Sequence, residues 1–88
     1  MEVFFKKTFL KDIQRLPSTI QSQIHPIIFV EAPNAKNLYD IHNVKKLVGY
    51  TSYFRIRVGV YRIGFTVEGD RVIFMRVLHR KEMYQYFP

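Results

Sequence analysis

The chain has 88 residues, and its 14 lysines and arginines outnumber its seven aspartates and glutamates, which gives a net charge of +7. This length allows one small domain, covering residues 1–88. Because 48% of the residues are hydrophobic and 16% are aromatic, the chain can bury a core, and this composition excludes a disordered basic tail.

The chain contains no cysteine, and its three histidines are far apart in sequence, with no carboxylate at a ligand-like spacing. We therefore expect no metal and no other cofactor. The longest apolar runs, Ile27–Val30 and Val72–Met75, have four residues, whereas a membrane-spanning helix needs about 20. Lys6 and Lys7 interrupt the apolar N-terminus, so no secretory signal is visible. These features predict a cytoplasmic protein without a membrane partner.

The positive charge lies mainly in the second half of the chain. Residues 1–44 contain five basic and four acidic residues, whereas residues 45–88 contain nine basic and three acidic residues. Six of the seven arginines fall between residues 55 and 80. A guanidinium offers a planar fork of donors that fits phosphate oxygens better than an ammonium group does. The charge therefore predicts a polyanionic partner, with nucleic acid as the first candidate.

The first half of the chain predicts one strand and two helices. Val3–Phe5 is a short apolar strand with charged flanks. Apolar residues at helical spacing predict a first helix over residues 8–16 and a second over residues 18–31. Residues 32–36 form a linker, and the polar stretch to residue 43 has no dependable period, so it predicts a loop.

Local signals mark the ends of these helices. Thr8 and Ser18 are the candidate N-caps, because a hydroxyl oxygen can accept a hydrogen bond from a free N–H of the first turn. Pro17 ends the first helix. Pro26 lies inside the second helix and should kink or split it, because its ring clashes with the carbonyl four residues earlier.

The second half predicts four short strands separated by glycine-containing turns. They cover Val44–Val48, Tyr53–Val58, Tyr61–Val67 and Arg71–Leu78. Consecutive hairpins of this kind make an antiparallel meander. The predicted class is therefore α+β, with two N-terminal helices packed on one face of a small, mainly antiparallel sheet that also contains the N-terminal strand.

Alternation along the strands predicts which side chains share a face. It places five arginines on the face away from the helices, namely Arg55, Arg57, Arg62, Arg76 and Arg80. In the last strand it turns Ile73, Met75 and Val77 toward the helices, and Val72 and Phe74 away from them. Charges on an exposed sheet face are often only solvated. Five like charges on one small face repel one another, however, and this repulsion favours an anionic ligand.

Aromatic residues and one glycine accompany the predicted arginine face. Tyr53, Phe74 and Tyr84 could stack on single-stranded bases, although aromatics on small sheets also serve packing. Gly64 in the middle of a strand predicts a bulge or a close approach by a ligand. Lys45 and Lys46 could contact RNA or could simply be solvated.

Two sequence motifs in the meander resemble the RelE/ParE superfamily of type II toxin-antitoxin toxins. They are Arg-Ile-Arg-Val-Gly-x-Tyr-Arg at residues 55–62 and His-Arg-x-x-x-Tyr at residues 79–84. The Lys-Asp-Ile…Leu-Pro stretch at residues 11–17 and the order of elements extend the resemblance over nearly the whole chain. It implies a RelE-like fold and a toxin that a cognate antitoxin protein neutralises.

The C-terminal motif distinguishes two branches of this superfamily. RelE-like members are described as ribosome-dependent endoribonucleases that cut mRNA in the ribosomal A site, and ParE-like members as gyrase inhibitors. The resemblance implies that Arg62, His79, Arg80 and Tyr84 are the catalytic residues of a RelE-like mRNA interferase. The predicted arginine face and its neighbours add a second set of expected RNA- or phosphate-binding residues, namely Arg55, Arg57, Arg76, Tyr53 and Lys46. The partners would be the antitoxin, the 30S A site and mRNA.

The chain departs from the family pattern at the strand lysines, which stand here as Arg55 and Arg57, and at Val60, where the family often has an acidic residue. Metal-free RNA cleavage by the 2′-OH needs a base, and a guanidinium cannot lose its proton. Histidine ordinarily exchanges a proton near neutral pH, so we expect His79 to act as base or acid. Arg62 and Arg80 would then bind the scissile phosphate, while Tyr84 stacks on a base or donates a hydrogen bond.

Two other functions fit the same sequence. A ParE-like toxin would inhibit gyrase without cutting RNA. A non-catalytic RNA-binding module would use the same arginines without toxicity.

Overall fold

A computed structural model describes all residues, 1–88, and contains a five-stranded sheet with helices. The strands are β1 (Glu2–Phe5), β2 (Val44–Lys46), β3 (Tyr53–Val58), β4 (Tyr61–Glu68) and β5 (Arg71–His79). The helices are α1 (Lys7–Gln14), α2 (Ser18–Pro26), α3 (Ala32–Asn34) and α4 (Met83–Tyr86). A turn of π-helix, Ile27–Glu31, joins α2 to α3, and a 3₁₀ turn, Leu38–Asp40, precedes β2.

The strand order is β1-β5-β4-β3-β2. The β2–β3, β3–β4 and β4–β5 pairs are antiparallel, and β1 pairs in parallel with β5. The β3–β4 and β4–β5 hairpins each have a two-residue loop that begins with a glycine at φ +60°, a conformation that suits such tight turns. The predicted α+β architecture is confirmed, and the strand bounds agree to within one residue except that β2 ends two residues earlier than expected.

Pro26 changes the hydrogen-bond pattern of the second helix without breaking the helix. Pro26 and Ile27 keep helical dihedral angles, with φ of −60° and −65°. Because Pro26 has no N–H to donate, the α-helix ends there and the π-helical turn takes over. The helix then continues through α3, so the predicted linker over residues 32–36 is wrong for its first three positions.

The predicted side-chain caps are also wrong. The N-caps of α1 and α2 are Lys6 and Pro17, and neither makes a side-chain capping bond. Thr8 lies inside α1, and its hydroxyl donates to the carbonyl of Met75 at 2.8 Å. The hydroxyl therefore ties α1 to β5, because a long-range partner is available to it in the folded chain.

The main core lies between the helices and one face of the sheet. It is built around stacked phenylalanines from β1, α1, β4 and β5. Phe9 in α1 is fully buried, and its ring lies 5.4 Å from that of Phe74 in β5. Phe74 also contacts Phe5 and Phe65, at centroid distances of 5.9 and 5.6 Å. Burial of these large rings is the main force that holds α1 on the sheet.

A β-bulge in β5 corrects the predicted orientation of its first half. Gly64 pairs with Arg76 and Phe65 pairs with Phe74, so Met75 has no partner across the ladder. The extra residue reverses the alternation before it. Val72 and Phe74 therefore point into the core rather than away from it, and the role of Phe74 as an exposed stacking ring is wrong.

None of the helices has the length and apolar character needed to cross a membrane.

Candidate nucleic-acid interface

The sheet face opposite the main core carries two different surfaces. One is a small apolar cluster formed by α4, the end of β5, the residue after β2 and the C-terminal residues, and its buried members are Leu47, Leu78, Met83 and Phe87. The other, which we call the cationic face, consists of Lys45, Arg55, Arg57, Arg62 and Arg80. Strand register places Lys45 directly opposite Arg55, and Arg57 directly opposite Arg62. Paired residues share a face, so these four cations project from one side of the sheet.

Arg62 lies at the centre of the cationic face. Its Nη1 donates to the carbonyls of Gly59 and Tyr61, at 2.8 and 2.9 Å, which fixes the guanidinium against the β3–β4 turn. Burial and the nearby charges of Arg55, Arg57 and Arg80 lower the pKa of Arg62 from its ordinary value. The group stays cationic at working pH. Three like charges therefore act on Arg62 in addition to its burial.

No carboxylate neutralises the four arginines of the cationic face. The ion pairs of the chain involve other basic residues, namely His42, Arg71 and Arg76. Beside the cluster, Asn43, Val44 and Lys45 form a shallow depression with Arg55 and Arg57. Converging donors of one charge sign in an open, polar depression suit a phosphate group and offer nothing to an apolar ligand.

Tyr84 adds an exposed aromatic ring next to these charges. It lies in α4 with 73% of its surface exposed and contributes to the electrostatic surroundings of Arg62. Its neighbour Met83 is buried and anchors α4 to the sheet. The structure thus brings Tyr84 together with Arg62 and Arg80, as the sequence motif predicts.

Arg76 is held by another residue. Its Nε and Nη2 donate to the carboxylate of Asp12 at 2.8 and 3.3 Å. The hydrogen bond to Asp12, against a smaller effect of burial, raises the pKa of Arg76. The guanidinium is therefore engaged at the α1–β5 contact, while its predicted role in RNA binding remains a prediction.

Tyr53 also makes contacts within the protein. Its ring meets Tyr50 and Phe87 edge to face, at centroid distances of 5.5 and 5.7 Å. It is partly buried against the apolar cluster. These contacts leave less of the ring free for a base than Tyr84 offers.

His79 lies on the helix side of the sheet. It pairs with Tyr61, whose side chain packs against the main core, and the two rings meet edge to face at 5.9 Å. A cleft that includes Asp12 and Arg15 surrounds it. Its Nδ1 accepts a hydrogen bond from the backbone N–H of Lys81 at 3.1 Å. The structure therefore places His79 and Arg62 on opposite faces of the sheet.

The two adjacent lysines of β2 also point to opposite faces. Lys46 pairs with Phe54, whose ring lies in the main core, whereas Lys45 pairs with Arg55. The cationic face therefore includes Lys45, for which the sequence left RNA contact and simple solvation open, and excludes Lys46. Alternation from Val44, whose side chain packs against the main core, could have distinguished them.

The chain contains no group of three or more histidine, aspartate or glutamate side chains that could hold a metal ion.

Comparisons with known proteins agree with this fold. A family model described as "ParE toxin of type II toxin-antitoxin system" matches residues 3–84. Toxin RelE3 of Methanocaldococcus jannaschii is 51% identical over 89 residues, and the match covers 100% of both chains.

Solved structures give the same result. A chain of the RelB-RelE antitoxin-toxin complex from Methanococcus jannaschii has a TM-score of 0.81 and 50% identity, covering 97% of this chain and 99% of that chain. A chain of the toxin-antitoxin complex RelBE2 from Mycobacterium tuberculosis has a TM-score of 0.72 and 26% identity, covering 90% of this chain and 96% of that chain. The isolated E. coli RelE toxin, at 20% identity, TM-score 0.68 and coverage of 89% and 82%, shares the fold. The chain therefore belongs to the RelE/ParE family of type II toxin-antitoxin toxins.

Proposed function

We propose that the protein is a ribosome-dependent endoribonuclease that cuts mRNA in the ribosomal A site and so inhibits translation in the cytoplasm. The observation that carries the proposal is the uncompensated guanidinium cluster around Arg62, with the exposed ring of Tyr84 beside it. The full-length likeness to Toxin RelE3 supports the same branch of the family.

The proposed reaction is an attack of the RNA 2′-OH on the adjacent phosphorus. The 2′-oxygen forms a bond to phosphorus, the bond to the 5′-oxygen breaks, and a 2′,3′-cyclic phosphate remains. Negative charge develops on the phosphorane oxygens. Arg62, whose guanidinium is already fixed by the carbonyls of Gly59 and Tyr61, needs little reorganisation to stabilise that charge. Arg80 provides the second cation at this position, and Arg55, Arg57 and Lys45 hold the flanking phosphates.

Two proton transfers complete this reaction. The 2′-OH loses a proton to a base, and the departing 5′-oxygen gains one from an acid. Tyr84 carries a proton on the cationic face and is our choice for the acid, in addition to stacking on a base. His79 is the sequence-based choice for the base, and RNA bound to Arg62 reaches it only by passing around the end of β5. Because His79 lies on the face opposite Arg62, we propose that solvent water accepts the 2′-OH proton, so that cleavage does not require His79.

A cognate antitoxin would control this activity. The relatives whose structures are named as RelB-RelE complexes carry an antitoxin chain. We propose that a protein of this kind also binds the present toxin, and that an acidic segment of it covers the cationic face. Charge complementarity favours this surface, because four arginines lie there without a carboxylate.

Gyrase inhibition is the second candidate, because the matching family model is named after ParE. One experiment separates the candidates. Transcript ends are mapped by primer extension after induction of the parent and of Arg62→Ala, and supercoiling by gyrase is assayed with the purified proteins.

Cuts inside translated frames that disappear in Arg62→Ala, with normal supercoiling, would support the nuclease. Intact transcripts in growth-arrested cells with inhibited supercoiling would support the ParE-like function. Harmless expression without an antitoxin would instead favour a non-catalytic RNA-binding module. Arg71→Ala is the matched control, because Arg71 pairs with Glu2 at the far end of β5.

A further inference from the structure

Gly64, in the middle of β4, lies directly against the side chain of Phe87 in the C-terminal segment. A Cβ on Gly64 would lie 2.8 Å from Cγ, Cδ1 and Cδ2 of Phe87. Side-chain carbons do not pack this tightly, so any other residue at position 64 would displace the ring. The backbone is not the reason for glycine here, because Gly64 is absent from the residues with positive φ. The reason is space for Phe87.

The ring that occupies this space anchors the segment carrying Tyr84. Phe87 is only 3% exposed and meets Tyr53 edge to face at 5.7 Å. Its backbone N–H donates to the carbonyl of Met83 at 2.9 Å. A buried side chain therefore lies at the first residue of α4, Met83, and another at its C-cap, Phe87, with the exposed Tyr84 between them. A four-residue helix is too short to be stable alone, so these two anchors determine where Tyr84 lies.

We infer that Gly64 and Phe87 are positioning residues for Tyr84: the Phe87 ring seated on Gly64 holds α4 against the sheet and the phenol beside Arg62. The inference deepens the proposed nuclease function and rests on it for the role of Tyr84. If the ring is displaced, α4 moves before β4 does, because β4 is hydrogen-bonded to a strand on each side. The cationic face stays in place in that case, since its arginines lie on β3, on β4 and at the end of β5.

The test compares four variants in ribosome-dependent cleavage. We expect Gly64→Ala to lower kcat by about 10²-fold with little change in KM, because a misplacement of about 1 Å is enough for such a loss. Phe87→Leu replaces the ring with a smaller side chain and so makes room for the new Cβ. It should restore kcat in the Gly64→Ala background to within about tenfold of the parent. Tyr84→Phe should lower kcat in the parent and cost nothing further in Gly64→Ala, since coupled residues are not additive.

Two results would overturn the inference. One is a Gly64→Ala protein with the parent's kcat. The other is a Tyr84→Phe effect of equal size in both backgrounds, which would mean that Gly64 acts other than through Tyr84. If Gly64→Ala does not fold, Phe87→Ala tests the same point with the strand intact, and it should lower kcat at unchanged KM.

A measurement independent of activity separates this inference from the proposed function. Met83 is 1% exposed and packs in the apolar cluster with Phe87. Its methyl NMR signal should move toward the random-coil position in Gly64→Ala and return with the added Phe87→Leu. A parent that cuts no RNA would defeat the proposed function while this signal still tests the Gly64–Phe87 contact. An unmoved Met83 signal in Gly64→Ala would defeat the inference alone.

Discussion

The carboxylate of Asp12 in α1 and the guanidinium of Arg76 in β5 form a hydrogen-bonded ion pair at 2.8 Å, across 64 residues of sequence. The same carboxylate accepts the backbone N–H of Val77 at 2.9 Å. The Asp12 carboxylate thus accepts hydrogen bonds from both a guanidinium and a backbone N–H of β5. Both donors lie on the part of β5 that does not pair with β1. Asp12 holds α1 to this part of β5, which has no strand partner on that side.

We expect Asp12→Ala to lower the free energy of unfolding by about 1–3 kcal/mol, because it leaves these partly buried donors unsatisfied. Urea denaturation measures the loss. Glu2→Ala is the matched control, since Glu2 and Arg71 are more than 60% exposed and 4.0 Å apart, and such exposed pairs contribute about 0–1 kcal/mol. Equal losses in the two variants would contradict the structural role of Asp12.

Lys45 and Lys46 provide an adjacent pair with opposite orientations. Lys45→Gln should weaken RNA binding uniformly across sequences and reduce the salt slope of the binding constant by about 1, because one phosphate contact is lost. Lys46→Gln removes the same charge from the other face and should change the slope much less. Affinity for a short single-stranded RNA over a range of salt concentrations measures both. A larger effect at Lys46 would place the RNA on the helix side of the sheet.

Arg57 and Arg62 face each other directly in the β3–β4 ladder. Like charges at such positions are destabilising, so Arg57→Gln should raise the free energy of unfolding by about 0.2–1 kcal/mol while weakening RNA binding. The gain should shrink at high salt, which screens the repulsion. Denaturation at low and high salt measures it. Arg71→Gln carries the same charge change beside Glu2, and a similar gain there would point to net charge rather than to the Arg57–Arg62 pair.

His79 and Tyr84 belong to one sequence motif and lie in different surroundings. We expect His79→Gln to retain cleavage within about threefold of the parent, and Tyr84→Phe to lose at least about tenfold, a loss typical of acid–base groups. The reason is that Tyr84 adjoins Arg62 whereas His79 faces Tyr61 and the α1 cleft. Initial rates of mRNA cleavage on ribosomes measure both. Loss of cleavage in His79→Gln with Tyr84→Phe intact would restore histidine as the acid–base group.

Local patterns were enough to predict much of this protein. Glycine turns and alternating residues determine the positions of β3, β4 and β5, because both signals act within a few residues. The concentration of arginine on adjacent strands likewise predicts a face with unbalanced charge. Arg55, Arg57 and Arg62 lie together as the alternation requires, since no irregularity separates them in the β3–β4 ladder.

The remaining features depend on contacts between distant parts of the chain. Gly64 indicates an irregularity in the β4–β5 ladder, but no local signal places the extra residue at Met75, which reverses the first half of β5. Asp12 engages Arg76, and Phe87 occupies the space beside Gly64, through contacts that sequence spacing does not encode. Sequence alone determined which residues carry the charge and in which strands they lie. Only the tertiary structure decided which of them remain without a carboxylate partner, because strand register and side-chain pairing form only when the sheet and helices pack together.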